Sequence, residues 1–322
     1  MRAIRVHETG GPEQLRLEDV PEPTPGPGEL LIDIEAIGVN FIEIYQRSGF
    51  YPIARPYTPG VEAAGVVRTL GAGVTGFAVG DRVVTQRMRG AYAECGVTPA
   101  VDAVRLPDGV STMQGAAVWL QGLTAHYLSH TSYPLKRGDT ALIHAAAGGV
   151  GLLLCQIAKK CGAFVIGTAS TPEKRQLAHE AGADEMIDYT TQDFAAEVRR
   201  ITNNVGVNVV YDSVGKTTVD KSLDSLAKRG MLVLCGQSSG GVPPIDPLIL
   251  MRKGSLSLNR PTLNDYIATR DELLARSTEL LGWVESGELN VRIGAEFKLE
   301  HAAEAHIALA ARQTTGKVIL VP

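Results

Sequence analysis

The sequence predicts an α/β protein in two parts, one a parallel sheet wound with helices on both faces and the other a β-rich domain. Three observations carry this. From Thr140 onward, apolar strand-like runs alternate with helical stretches, the βαβ order of a parallel sheet. The first third instead holds short apolar runs separated by Pro and Gly clusters, above all Pro21-Glu-Pro-Thr-Pro-Gly-Pro-Gly, which suggests a barrel-like domain. Finally, 322 residues suit two domains, and 44% apolar with 20% charged residues is an ordinary globular composition.

In order along the chain, Leu30-Leu-Ile-Asp-Ile-Glu-Ala, Ala64-Gly-Val-Val-Arg and Asp81-Arg-Val-Val are the strands expected of the β-rich part. The character changes near Leu123. Ala141-Leu-Ile-His-Ala reads as a strand and Val150 to Cys161 as a helix. The strand Ala163-Phe-Val-Ile-Gly-Thr and a helix from Pro172 to Ala181 repeat the unit, Pro suiting a first helical position. Val207-Asn-Val-Val-Tyr-Asp and Gly230-Met-Leu-Val-Leu-Cys-Gly are further strands, and Ser255-Leu-Ser-Leu closes the sheet. One long helix is expected from Asp265 to Ser286, then a last strand in Gly316-Lys-Val-Ile-Leu-Val.

Charge and cysteines exclude several classes. Lys+Arg number 31 against 35 Asp+Glu, a net charge of −4, which gives no electrostatic case for nucleic acid. The N-terminus turns charged at once and has no signal-peptide core. Thr140 to Ala158 lacks formal charge, but His144, Gln156 and Gly148-Gly149 interrupt it, so no membrane insertion is expected and the cytoplasm is the default location. Cys95, Cys155, Cys161 and Cys235 include no C-x-x-C pair and read as free thiols of a reducing compartment.

The sharpest motif is Ala145-Ala-Ala-Gly-Gly-Val-Gly151, set between a strand and a helix. A dinucleotide's pyrophosphate needs the free amide N–H groups and positive dipole end of a helix, and side chains in the turn would block it. Gly148, Gly149, Val150 and Gly151 are therefore the expected phosphate contacts, although Ala stands where G-x-G-x-x-G begins. An NAD site places an acid about 20 residues on, at the tip of the next strand. Here the strand runs into Gly167-Thr-Ala-Ser-Thr-Pro-Glu-Lys-Arg, with Glu173 only in the first helical turn. Ser170 and Lys174 are placed to hold a 2′-phosphate, with Arg175 an alternative, so NADPH is expected over NADH.

Pro59-Gly-Val-Glu-Ala-Ala-Gly65, Gly80-Asp-Arg-Val-Val84, Gly90-Ala-Tyr-Ala-Glu94, Gly122-Leu-Thr-Ala125, Ala147-Gly-Gly-Val-Gly151 and Asp212-Ser-Val-Gly215 follow one another along the chain. With them the sequence resembles the zinc-free quinone oxidoreductase (zeta-crystallin-like) branch of the medium-chain dehydrogenase/reductase superfamily. The resemblance implies a GroES-like catalytic domain split into residues 1–122 and 266–322, around an NADPH-binding Rossmann domain of residues 123–265. It implies an active site in the cleft and a homodimer, paired near Ser255-Leu-Ser-Leu.

Zinc members place Cys and His where Asn40 and Val61 stand, and Trp119-Leu-Gln121 lacks a further thiolate, so no metal is expected. His126 and His130 have i,i+4 spacing but no H-E-x-x-H, and read as helix-surface histidines. Without a Lewis acid, an electron-poor quinone is the natural acceptor, since aromatisation stabilises the anion left by hydride. By resemblance, Asn40, Tyr45 and Tyr51 line the pocket and Arg260 lies near the nicotinamide; Glu62 is expected as a buttressing carboxylate. Thr124, Tyr189, Ser213, Val214, Gly236 and Ser238 are carried over as cofactor contacts, with Lys317 reaching the phosphates. Two other readings remain open: reduction of activated C=C bonds in enones or acyl thioesters, and a non-catalytic NADPH-binding structural or RNA-associated protein.

Overall fold

The computed structural model describes all residues from Met1 to Pro322. Two compact units divide the chain, Met1–Gln121 with Thr269–Pro322 and Gly122–Ala268.

The first unit opens with an antiparallel ribbon of β1 (Arg2–Arg5) and β2 (Arg16–Asp19). Its long strand β3 (Glu29–Val39) leads into the short helix α1 (Phe41–Arg47), followed by β4 (Glu62–Leu70), β5 (Arg82–Thr85), β6 (Cys95–Pro99) and β7 (Val104–Arg105). Helix α2 (Thr112–Tyr127) contains the unit boundary. β3 is the organising strand: β4, β6 and the C-terminal strand all pair with it, antiparallel. Bulges at Leu31/Ile32 and Ile34/Ala36 let β3 bend between partners. Ile4, Ile32, Ile37, Val67, Val83 and Tyr92 fill its core, each such side chain contributing roughly 1.5–3 kcal/mol on burial.

The second unit is a six-stranded sheet, and every pairing in it is parallel. It runs β8 (Thr140–Ile143), α3 (Gly149–Lys160), β9 (Phe164–Ala169), α4 (Pro172–Glu180), β10 (Glu185–Asp188), α5 (Phe194–Ile201), β11 (Val207–Asp212), α6 (Val219–Ser225), β12 (Leu226–Leu234), α7 (Leu248–Arg252) and β13 (Ser257–Asn259). Spatial order is β10-β9-β8-β11-β12-β13, the doubly wound order with its reversal between β8 and β11. Leu142, Ile166, Val210 and Leu232 are wholly buried, which is why these strands read as unbroken apolar runs.

The expected single helix from Asp265 to Ser286 is two helices. α8 (Leu263–Tyr266) ends in the second unit, and α9 (Arg270–Glu285) starts afresh in the first. Thr269 is the reason: its hydroxyl accepts from the Glu272 N–H while Glu272 reaches back to the Thr269 N–H, a capping box that begins a helix. β14 (Ile293–Lys298), α10 (Ala302–Ala310) and β15 (Lys317–Val321) complete the first unit. The strand expected at Ala141–Ala145 stops at Ile143, because Ala145 takes a φ of 51°.

Candidate active site

In the second unit, the turn after β8 builds the nucleotide end. Gly148 is the N-cap of α3 and offers no side chain to close it, so the N–H groups of Gly149, Val150 and Gly151 face outward from the helix start. α4, α5 and α9 begin instead under the side chains of Thr171, Asp193 and Thr269. A Cβ on Gly151 would lie 2.4 Å from the Ala145 carbonyl oxygen and 2.7 Å from that of Ala146, so the glycine is fixed by backbone packing. The turn thus fits a pyrophosphate.

At the end of β9, Ser170 is half-buried and Lys174 lies in the first turn of α4, its N–H held by Thr171. Arg175 is committed elsewhere, 2.7 Å from the Asp188 carboxylate at the end of β10. Ser170 and Lys174 thus flank the junction between β9 and α4. Tyr189 follows β10 and is 40% exposed, as a ring offered to a ligand would be.

Beyond the switch point, two loops are joined together. The Ser213 and Val214 carbonyls accept from the N–H groups of Ser238 and Ser239 at 3.2 and 2.9 Å, and a Cβ on Gly236 would meet the Ser213 oxygen at 2.6 Å. Arg260 follows β13 and donates to the Leu234 carbonyl at 2.8 Å, which brings its guanidinium to the carboxyl end of β12 beside Gly236. Thr124 is half-buried on α2. His126, expected on the surface, is buried and stacks on His130 with centroids 4.5 Å apart.

In the first unit, strand register assembles a polar cluster. Gly38 pairs with Glu62 in β4 and Val318 in β15 with Val39, so Lys317 arrives opposite Asn40. The Lys317 ammonium donates to Asn40 Oδ1 at 2.8 Å and to Glu62 Oε2, and Asn40 Nδ2 donates to Glu62 Oε2 at 2.9 Å and to the Gly38 carbonyl at 3.2 Å. Glu62 Oε1 takes the N–H of Leu120. Lys317, Glu62 and Asn40 are 1%, 0% and 7% exposed. Only glycine suits position 38, where a Cβ would lie 2.0 Å from the Glu62 carboxylate.

This cluster corrects one expectation. Lys317 does not extend toward phosphates; a buried charge requires its counter-charge, and Glu62 holds it. Both N–H bonds of the Asn40 amide are used, and its Oδ1 accepts from Lys317, which suits a positioning role. Glu62 buttresses as expected, with Lys317 its unforeseen partner.

Beside it, α1 begins with the Glu43 carboxylate accepting the Asn40 N–H at 2.7 Å. Burial raises the Glu43 pKa to about 8, against the opposing charge of Lys317. Tyr45 and Tyr51 meet edge to face at 5.3 Å, with Phe41 and Phe50 at 6.1 and 5.8 Å from Tyr45. Phe50 is 51% exposed, a flat apolar face.

Comparison with known proteins agrees with this division. Residues 26–151 match the alcohol dehydrogenase GroES-like domain and residues 149–276 the zinc-binding dehydrogenase family. A quinone oxidoreductase of Pseudomonas aeruginosa is 48% identical, covering 100% of this chain and 99% of its own. A 2-haloacrylate reductase of a Burkholderia species is 42% identical, covering 99% and 98%. The structure of an Escherichia coli quinone oxidoreductase complexed with NADPH superposes with a TM-score of 0.98 at 42% identity, covering 100% of both chains. Identity of this level along the whole length, over the same two domains, places the chain in the quinone oxidoreductase family of the medium-chain dehydrogenase/reductase superfamily.

Proposed function

We propose that the chain is an NADPH-dependent reductase of small quinones that works without a metal. The observation that carries the reading is the uncapped start of α3 behind Gly151, with Ser170 and Lys174 at the tip of the next strand. NADPH-bound and quinone-reducing relatives support it. Residues 123–265 hold the nucleotide and residues 1–122 with 266–322 the acceptor.

NADPH, when bound, supplies hydride. Gly148 to Gly151 bind its pyrophosphate through N–H groups, Ser170 and Lys174 its 2′-phosphate, and Tyr189 covers the adenosine end. Thr124, Ser213, Val214, Gly236, Ser238 and Arg260 hold the nicotinamide half in place. In the acceptor half, Tyr45, Tyr51 and Phe50 form the aromatic surface on which a quinone ring lies flat. The Lys317 ammonium, paired with Glu62 and bonded to Asn40 Oδ1, holds the Asn40 amide at the start of α1 beside these rings. Hydride on the quinone and one proton from water give the hydroquinone, so the reaction balances.

A second reading is reduction of an activated C=C bond, favoured by the 2-haloacrylate reductase relative. Both need hydride delivery and an oxyanion site, and the clustered aromatic rings favour the quinone. NADPH oxidation with benzoquinone, an enone and 2-chloroacrylate offered separately, before and after chelation, tests the choice. Quinone turnover indifferent to chelator is expected; turnover on the acrylate alone moves the reading to C=C reduction, and NADPH binding without turnover makes the protein non-catalytic.

The edge strand β13, with Leu258 37% exposed, is the surface proposed to pair with a second copy as a homodimer. A sedimentation mass of one 34.2 kDa chain removes that proposal. No helix is long and apolar enough to cross a membrane, and four free cysteines suit the cytoplasm proposed for it.

A further inference from the structure

His144 immediately follows β8 and precedes the glycine turn, and it is 3% exposed. Nothing in the hydride chemistry uses it, yet both ring nitrogens have side-chain partners. Nδ1 lies 3.0 Å from Thr168 Oγ1 on β9, and Nε2 lies 3.0 Å from Ser222 Oγ on α6. The Ser222 hydroxyl in turn donates to Asp212 Oδ2 at 2.8 Å, at the end of β11. Asp212 Oδ1 accepts the N–H groups of Val214 and Gly215 at 2.8 and 2.9 Å, and Thr218 Oγ1 bonds the same carboxylate. Backbone bonds run in parallel, from the His144 N–H to the Tyr211 carbonyl and from the Ala146 N–H to the Thr168 carbonyl.

The directions of these bonds are fixed. Asp212 is acceptor only, so Ser222 spends its one proton there and its oxygen must accept from His144 Nε2–H. Nδ1 is then the bare nitrogen, and the Thr168 hydroxyl donates to it. The ring is neutral, in the Nε2–H tautomer, consistent with burial lowering its pKa. A histidine present only to fill volume, packed edge to face on Phe194, would need neither a hydroxyl on each side nor a carboxylate behind one.

We propose that His144 is a positioning residue for the cofactor. Through Thr168 and through Ser222–Asp212 it locks together the three turns that carry Gly148–Gly151, Ser170 and Ser213–Val214. The proposal rests on the NADPH reading above. Its function is to fix the spacing between the pyrophosphate turn and the turns on either side of the switch point, because Thr168 ties His144 directly to β9 and Ser222, on α6, ties it to the end of β11. Loosening the lock weakens NADPH binding while leaving the chemistry of bound complexes alone.

The test measures NADPH dissociation constants by fluorescence, with kcat and KM for benzoquinone, in the full-length protein. Ser222→Ala and Thr168→Val each break one link with little change of volume, and His144→Phe removes the hub. The expected result is an NADPH Kd raised about tenfold in each single-link variant and more in His144→Phe, with kcat at saturating NADPH within about twofold. Ser222→Thr, which restores the hydroxyl, should recover the affinity. Thermal midpoints lowered with NADPH Kd unchanged would make the network a stabilising one only and overturn the proposal. So would a fall in kcat with Kd unchanged. If the wild-type protein itself fails to bind NADPH, the functional reading falls as well; if it binds and the variants bind equally, this inference alone falls.

Discussion

The glycine turn of the second unit and the Lys317 cluster of the first are built in opposite ways. The turn is a contiguous stretch, Ala145 to Gly151, whose geometry follows from its own residues and the strand and helix beside it. The cluster joins Asn40, Glu62, Leu120 and Lys317, segments up to 277 residues apart, by strand register and by the placing of α2. A local motif fails locally when altered; an assembled one takes the fold with it.

That contrast predicts the largest effect at Lys317. Lys317→Met leaves the Glu62 carboxylate buried beside Asn40 without its counter-charge, and should lower stability by about 3–5 kcal/mol. Adding Glu62→Gln removes the stranded charge and should restore much of the loss. Denaturant midpoints of the single and double variants check this, and additive losses would mean that the pair is not coupled. Gly151→Ala should act differently. Its Cβ collides with two carbonyl oxygens of the turn, so NADPH affinity should fall about 100-fold, roughly 2.7 kcal/mol, with the first unit's core untouched. Titration of NADPH against tryptophan fluorescence reads it; an unchanged Kd would remove the pyrophosphate from this turn.

The same contrast explains what the sequence revealed. The parallel sheet was legible because its strands are buried on both faces and alternate with helices, and the glycine turn because it is continuous. The break between α8 and α9 was missed although Thr269 and Glu272 carry a capping-box pattern, since an apolar period spans it. Lys317 was assigned to phosphates because nothing near Thr315-Gly-Lys says that β15 will pair with β3 at Val39. The available signal was a lone lysine leading into Val-Ile-Leu-Val, a place where a charge is buried only with a partner. Likewise His144 looked like an interruption of an apolar run, when its hydroxyl partners lie 24 and 78 residues away. Arg175 could be set aside only once Asp188 was seen at the adjacent strand end.

Smaller effects sharpen the cofactor half. Ser170→Ala and Lys174→Ala each remove one proposed bond to the 2′-phosphate, and should raise KM for NADPH about tenfold while leaving NADH use unchanged. Equal losses with both nucleotides would mean that the two residues support the strand end and do not read the phosphate.

The smallest effect at neutral pH concerns a second buried histidine, and it returns to the comparison of the two units. His306 on α10 bonds the Tyr92 hydroxyl at 3.0 Å, but its Nδ1 has no partner, unlike either nitrogen of His144. Burial, aided by the Arg47 charge, lowers its pKa from 6.5 to about 3. The unfolded chain therefore takes up a proton below pH 6.5 that the folded one refuses until about pH 3, so this contribution is complete above 6.5 and is lost as pH falls through that window. Its slope is about 1.4 kcal/mol per pH unit at most. His306→Gln keeps a group for Tyr92 and should change stability at pH 7.5 by no more than about 1 kcal/mol. Subtracting its pH–stability curve from that of the wild type should leave a difference that grows steadily below pH 6.5. Parallel curves would show that the ring charges without penalty, through water reaching Nδ1, and that the first unit's interior is wetter there than the fully bonded His144 site.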